Sequence, residues 1–273
     1  MQIRRIAGAL GAELRAINLR DGIDTALANS LRDLLNEHEV LFLRDQMIEP
    51  VAQKQLAEIF GPLQTHPAYS TVEGLPEVMI LESTAENPSK IEVWHSDMTF
   101  RQHPPSVTVL RGMTIPEIGG DTLFASMTAA YQGLSKGMQQ YLEDLIAVHD
   151  FSHGFKESLS ERGGRGRLNE AVAANPPVRH PVIQTHPETG KKVLFVNALF
   201  TTHIEGLPML ESSEVLQFLW RHATLPEFTC RFNWQPNSMV IWDNRSTQHK
   251  PVNDFFPATR RLHRVVSEGD RPY

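Results

Sequence analysis

From residue 106 onward the chain keeps returning to short alternating runs closed by turn residues, and this pattern restricts the fold more than any other feature. Residues 106–113 alternate, and 182–185 with 192–197 flank Pro187-Glu188-Thr189-Gly190, the signature of a hairpin. Phe228, Cys230, Phe232 and Trp234 alternate with Thr229, Arg231 and Asn233. Residues 238–242 form a further run ended by the turn pair Asp243-Asn244, and 260–266 the last. Helical spacing is concentrated earlier. Asp24 reads as an N-cap before Ala26, Leu27, Leu31, Leu34 and Leu35, and residues 40–43 read as a buried strand. A second helix is expected over 50–60, opened by Pro50 and stopped by Gly61. A third is expected over 135–148, and a fourth from Ser212 through Val215, Phe218, Leu219 and His222. Such an order favours a mainly β domain, a sandwich or jelly roll with flanking helices.

Composition narrows the chemistry. A formal net charge of −6 gives no overall basic field for nucleic acid or an anionic membrane, so a small anion would need a local Arg or His cluster. Cys230 is the one cysteine, which excludes an internal disulfide or thiolate metal cluster and fits a reducing, cytoplasmic compartment. Glu13 and Arg15 interrupt the N-terminal apolar residues before a signal-peptide core forms, and no apolar run reaches bilayer length. A basic Arg-Gly stretch over 160–167 reads as a mobile surface loop in an acidic chain.

Two histidines and a carboxylate carry the chemical signal. In an extended segment His95 and Asp97 would project from one face, and His249 follows the 238–242 strand in a loop. Two His and one carboxylate form the facial triad of non-haem Fe(II) oxygenases, which leaves metal positions open. On a strand, Arg260 and Arg264 would share a face, and Arg is suited to gripping a carboxylate or sulfonate through two hydrogen bonds.

These residues resemble the taurine dioxygenase family of iron(II)/2-oxoglutarate-dependent dioxygenases. The likeness extends to Trp94-His95-Ser96-Asp97-Met98-Thr99-Phe100, Gly119-Gly120-Asp121-Thr122, Phe195-Val196-Asn197, Trp234-Gln235-Pro236-Asn237 and Ile241-Trp242-Asp243-Asn244-Arg245, in family order. The resemblance implies one domain over residues 1–273 with a double-stranded β-helix core. It implies Fe(II) held by His95, Asp97 and His249, and 2-oxoglutarate as cosubstrate, its far carboxylate on Arg260 and Thr122. It places His66, Tyr69, Phe155, Phe200 and Arg264 around a small organic anion, the last gripping a sulfonate. The implied reaction hydroxylates that anion with O2; taurine or a related alkyl sulfonate would then yield sulfite and an aldehyde. Alkyl sulfate esters and aryloxy carboxylates are the other substrates expected for this chemistry. A zinc-dependent hydrolase using the same three residues, or a non-catalytic jelly-roll binding protein, are the readings of a different class. Family members are commonly homo-oligomers. One departure stands out: where the family carries an acid and an Asn toward the taurine amine, this chain has Lys90 and Ile91. Residues 66–90 and 151–174 are the expected lids.

Overall fold

The computed structural model describes residues 1–65 and 69–273, and of Arg167 the backbone alone. The chain is mainly β with flanking helices. Among the described residues its largest sheet has nine strands. In its centre Met239–Asp243 pairs antiparallel with Val40–Leu43 on one side and with Val107–Thr114 on the other. Arg260–Ser267 pairs next with Val107–Thr114, and Leu75–Ser83 follows on its far side. A three-stranded sheet sets Thr122–Ser126 between Thr229–Phe232 and Thr247–Pro251.

The two sheets share an apolar interior. Val240, Trp242, Phe42, Leu110 and Leu262 from the large sheet pack with Phe124, Cys230 and Phe232 from the small one. Burying a Leu- or Phe-sized side chain contributes about 1.5–3 kcal/mol, so this layer fixes how the sheets face each other. On the outer side of the large sheet, the helices Thr25–His38 and Pro50–Glu58 bury Leu31, Leu34, Leu35 and Leu56. Asp24 caps the first of them, its carboxylate accepting from the Leu27 amide at 2.8 Å.

Several sequence expectations need correction. The third helix stops at Leu142, and Ile146–His149 is instead a strand between Val178–Pro181 and Thr201–Ile204. Two flanking strands satisfy its backbone, and that outweighs the helical stripe in the sequence. The fourth helix begins at Met209, three residues before Ser212, whose hydroxyl accepts from the Ile204 amide at 2.8 Å. Residues 151–174 are not one loop but carry three short helices, and Gly164–Ala174 absorbs the second half of the basic stretch. The 66–90 segment likewise contains Thr71–Val72 and the nine-residue strand Leu75–Ser83. Among the described residues, no helix is long and apolar enough to cross a membrane.

Glu39, just past the first helix, is buried, and burial raises its carboxyl to about 7; the Ser126 and Thr128 hydroxyls act in the opposite direction and nearby Asp243 adds to the rise. A carboxyl raised above its unfolded value favours folding at low pH, and that contribution is lost as pH rises from about 4.5 through about 7. Glu39→Gln should therefore gain stability relative to the parent between pH 5 and pH 8, by on the order of 3 kcal/mol. Urea unfolding at both pH values checks this; an unchanged difference contradicts it.

Candidate metal centre

His95 and His249 are brought together by backbone pairing rather than by sequence period. The His95 amide donates to the His249 carbonyl at 3.0 Å, and the His249 amide returns a bond to His95 at 2.8 Å. His249 lies within the strand Thr247–Pro251, not in a loop. His95 forms only an isolated bridge, and the chain turns immediately after it, with Met98 at φ 47°. Asp97 therefore reaches the two imidazoles through a turn, not through strand alternation.

The ligand atoms of His95, Asp97 and His249 lie within 4.8 Å of one another, and no other such trio of His, Cys, Asp or Glu occurs among the described residues. Asp97 Oδ1 is 3.9 Å from His95 Nε2 and 4.0 Å from His249 Nε2, too far for hydrogen bonds and close enough to share an ion. His95 Nδ1 lies 2.9 Å from the Val93 carbonyl. A carbonyl only accepts, so Nδ1 carries the proton and Nε2 presents its lone pair toward Asp97. Burial lowers both imidazoles, His249 to about 3, which keeps them neutral. Burial pushes the Asp97 carboxyl upward, but the Arg264 guanidinium, helped by the Thr108 hydroxyl, holds it below its ordinary value. Two neutral imidazoles and one carboxylate, with a face left open, suit a divalent transition metal.

The two arginines point inward from one strand. Leu262, between them, packs into the inter-sheet core. Arg260 Nη2 donates to Thr122 Oγ1 at 3.3 Å, and the Trp234 indole N–H donates to the same hydroxyl at 3.0 Å. Arg260 Nε is buried without a hydrogen-bond partner, and burial pushes the guanidinium down to about 10. Gly120 keeps this end open, since a Cβ there would stand 3.2 Å from Arg260 Cδ. A half-buried cation with a buried, unused donor beside a hydroxyl is a cradle for an anion.

Arg264 Nη1 lies 3.6 Å from Asp97 Oδ1, and the guanidinium sits 5.0 Å from the centre of the Tyr69 ring. Beside it Met79, Met98, Phe100, Phe151 and Phe200 form an apolar cluster against which Tyr69 and Phe155 pack. Phe100 and Phe200 meet edge-on at 5.0 Å, and Phe151 stacks on Phe155 at 4.4 Å. His66 lies outside the described residues. Lys90 forms an ion pair with Glu161, tying the segment before His95 to the short helices that carry Phe155. Asn253, beyond His249, donates to Glu92 Oε1 at 3.1 Å in the same segment.

The family model for taurine catabolism dioxygenase TauD, TfdA matches residues 2–266. The chain belongs to this family. It is thus a 2-oxoglutarate-dependent dioxygenase of the taurine dioxygenase type, with Fe(II) and 2-oxoglutarate as cofactors, acting on a small molecule and O2. It is 35% identical to an alkylsulfatase of Acinetobacter baylyi, over 99% of this chain and 86% of that protein. It is 29% identical to an alpha-ketoglutarate-dependent sulfate ester dioxygenase of Pseudomonas putida, over 100% of this chain and 91% of that one. The crystal structure of a taurine dioxygenase from Burkholderia xenovorans superposes with a TM-score of 0.85 at 33% identity, covering 99% of this chain and 90% of that one.

Two side chains that hold Asp97 escape sequence reasoning. Thr108 donates to Asp97 Oδ2 at 3.1 Å, and the Asn244 carboxamide bonds the Asp97 backbone. The available signals for Asn244 were its place in a turn after the 238–242 strand and in a family block, which mark a turn but not what its amide meets.

Proposed function

We propose that this dioxygenase hydroxylates a small organic anion bearing an –SO3 head group, a sulfonate or a sulfate ester, on an apolar body. The observation that carries the reading is the buried Arg264 guanidinium, set between Asp97 and the Phe100, Phe151 and Phe200 cluster. An anionic head would seat on Arg264, with Tyr69 beside it. The carbon chain would then lie along Phe155 and Phe200, next to the metal. The similarity to an alkylsulfatase and a sulfate ester dioxygenase supports this substrate class.

In this reading His95, Asp97 and His249 hold the iron, while Arg260 and the Thr122 hydroxyl receive the far carboxylate of 2-oxoglutarate. When bound, Fe(II) and 2-oxoglutarate supply the oxidising chemistry, with O2 consumed and succinate and carbon dioxide released. The chain orients both anions and excludes water through its aromatic wall. Hydroxylation at the carbon bearing the head group leaves an adduct that collapses to an aldehyde. The C–S bond breaks to release sulfite from a sulfonate, and the bond between that carbon and the ester oxygen breaks to release sulfate from a sulfate ester. The two sheets around Phe124 and Trp242 are read as a double-stranded β-helix core within one domain over 1–273, and the location as cytoplasmic.

By the family resemblance Lys90 and Ile91 replace the acid and Asn carried toward the taurine amine, so taurine should be a poor substrate. The test is 2-oxoglutarate-dependent succinate formation over short alkyl sulfates, alkyl sulfonates, taurine and an aryloxyacetate. Alkyl sulfates or sulfonates should exceed taurine by about tenfold or more in kcat/KM, the scale of one lost charge interaction. Preference for taurine or the aryloxyacetate would contradict the assignment.

A further inference from the structure

Asn244 sits in the turn between Met239–Asp243 and Thr247–Pro251, 1% exposed. Its Oδ1 accepts from the Asp97 amide at 2.7 Å, and its Nδ2 donates to the Asp97 carbonyl at 3.0 Å and the Pro105 carbonyl at 3.1 Å. One carboxamide thus pairs with both polar backbone groups of Asp97, as a neighbouring strand would, and fixes that residue's orientation. The next residue, Met98, has φ 47°, a left-handed conformation that a residue with a side chain keeps only when its surroundings impose it. The turn carrying Asn244 is itself fixed. The Asp243 carboxylate accepts from the Arg245 amide at 2.9 Å, from its guanidinium, and lies 2.9 Å from His186 Nε2. At the side-chain end, Thr108 is wholly buried and donates to Asp97 Oδ2 at 3.1 Å. Oδ1 is then the oxygen that faces both imidazole Nε2 atoms.

We propose that Asn244 and Thr108 are positioning residues for the metal centre: Asn244 sets the backbone of Asp97, and Thr108 selects which carboxylate oxygen meets the ion. This rests on His95, Asp97 and His249 being the ligands. Partners that orient a ligand typically alter metal affinity by about 10–100-fold when removed.

The experiment is a Mn(II) titration of the metal-free full-length protein, with free ion followed by electron paramagnetic resonance. Asn244→Ala and Thr108→Val should each raise the Kd by about 10–100-fold. Gln46→Ala is the matched control. Gln46 is equally buried, accepts from the Leu19 amide and donates to the Ile17 and Arg44 carbonyls, so it too loses three hydrogen bonds, away from the metal centre. It should lower Tm and leave the Kd unchanged. If Asn244→Ala is not recovered folded, the near-isosteric Thr108→Val decides. Asp97→Ala separates the two levels: a parent-like Kd there overturns the ligand reading itself. A weakened Asp97→Ala beside Asn244→Ala and Thr108→Val within twofold of the parent overturns this inference alone. Gln46→Ala weakening Mn(II) binding as much as Asn244→Ala also overturns it.

Discussion

Asp97→Ala should reduce 2-oxoglutarate-dependent succinate formation on the order of 10³-fold or more. Asp97 is the one carboxylate beside two neutral imidazoles, and the Arg264 guanidinium holds it ionised against the cost of its own burial. In the proposed centre, removing it deletes the anionic ligand, and it leaves Arg264 without the charge 3.6 Å away. Losing one partner of a buried pair costs about 3–5 kcal/mol, so the alanine variant should also unfold at lower temperature. Asp97→Asn separates the two effects. It preserves shape and can still accept from Thr108, so it should recover part of the stability while activity stays low. Turnover above about a tenth of the parent in Asp97→Asn would mean that a charged ligand at this position is dispensable.

Arg260→Met should raise the KM for 2-oxoglutarate by on the order of 10²-fold while kcat at saturating cosubstrate changes far less. Truncating one side of a buried charge-assisted pair costs about 2–5 kcal/mol, and each 1.4 kcal/mol is tenfold in affinity. In the absence of 2-oxoglutarate the same variant should be no less stable than the parent. Arg260 Nε has no hydrogen-bond partner, and burial already disfavours the charged guanidinium. Methionine would fill much of its volume without that cost. Titrating 2-oxoglutarate under a fixed substrate concentration, together with thermal unfolding, reads both halves. An unchanged KM would move the cosubstrate's far carboxylate elsewhere in the site.

The sequence carried the site further than it carried the fold. His95 and Asp97 are legible from one block of distinctive composition, and His249, Arg260 and Arg264 from their spacing and the family resemblance. The structure brings the ligand atoms of His95, Asp97 and His249 within 4.8 Å, with Arg264 3.6 Å from Asp97 and Arg260 beside Thr122. The reason they converge was not legible. Strand alternation predicts His95 and Asp97 side by side, whereas their placement comes from a bridge to His249 and a left-handed turn at Met98. Residues 146–149 fit a helical stripe locally, and only two partner strands, whose paired residues lie 29 or more positions away, make them extended. Thr108 and Asn244 each meet Asp97 through hydrogen bonds 11 and 147 positions apart in the chain. Such contacts follow from sheet packing, which periodicity does not encode. Gly120 illustrates the same limit: its motif announces a turn, while its closeness to Arg260 appears only in three dimensions.

A crystal of the protein grown without oxygen, with Fe(II) and 2-oxoglutarate, tests the central assignment most directly. Density for one ion bonded by His95 Nε2, an oxygen of Asp97 and His249, with the distal carboxylate of the diacid against Arg260 and Thr122, is the predicted result. An ion bound without any one of those three side chains, or a diacid turned away from Arg260, would contradict it.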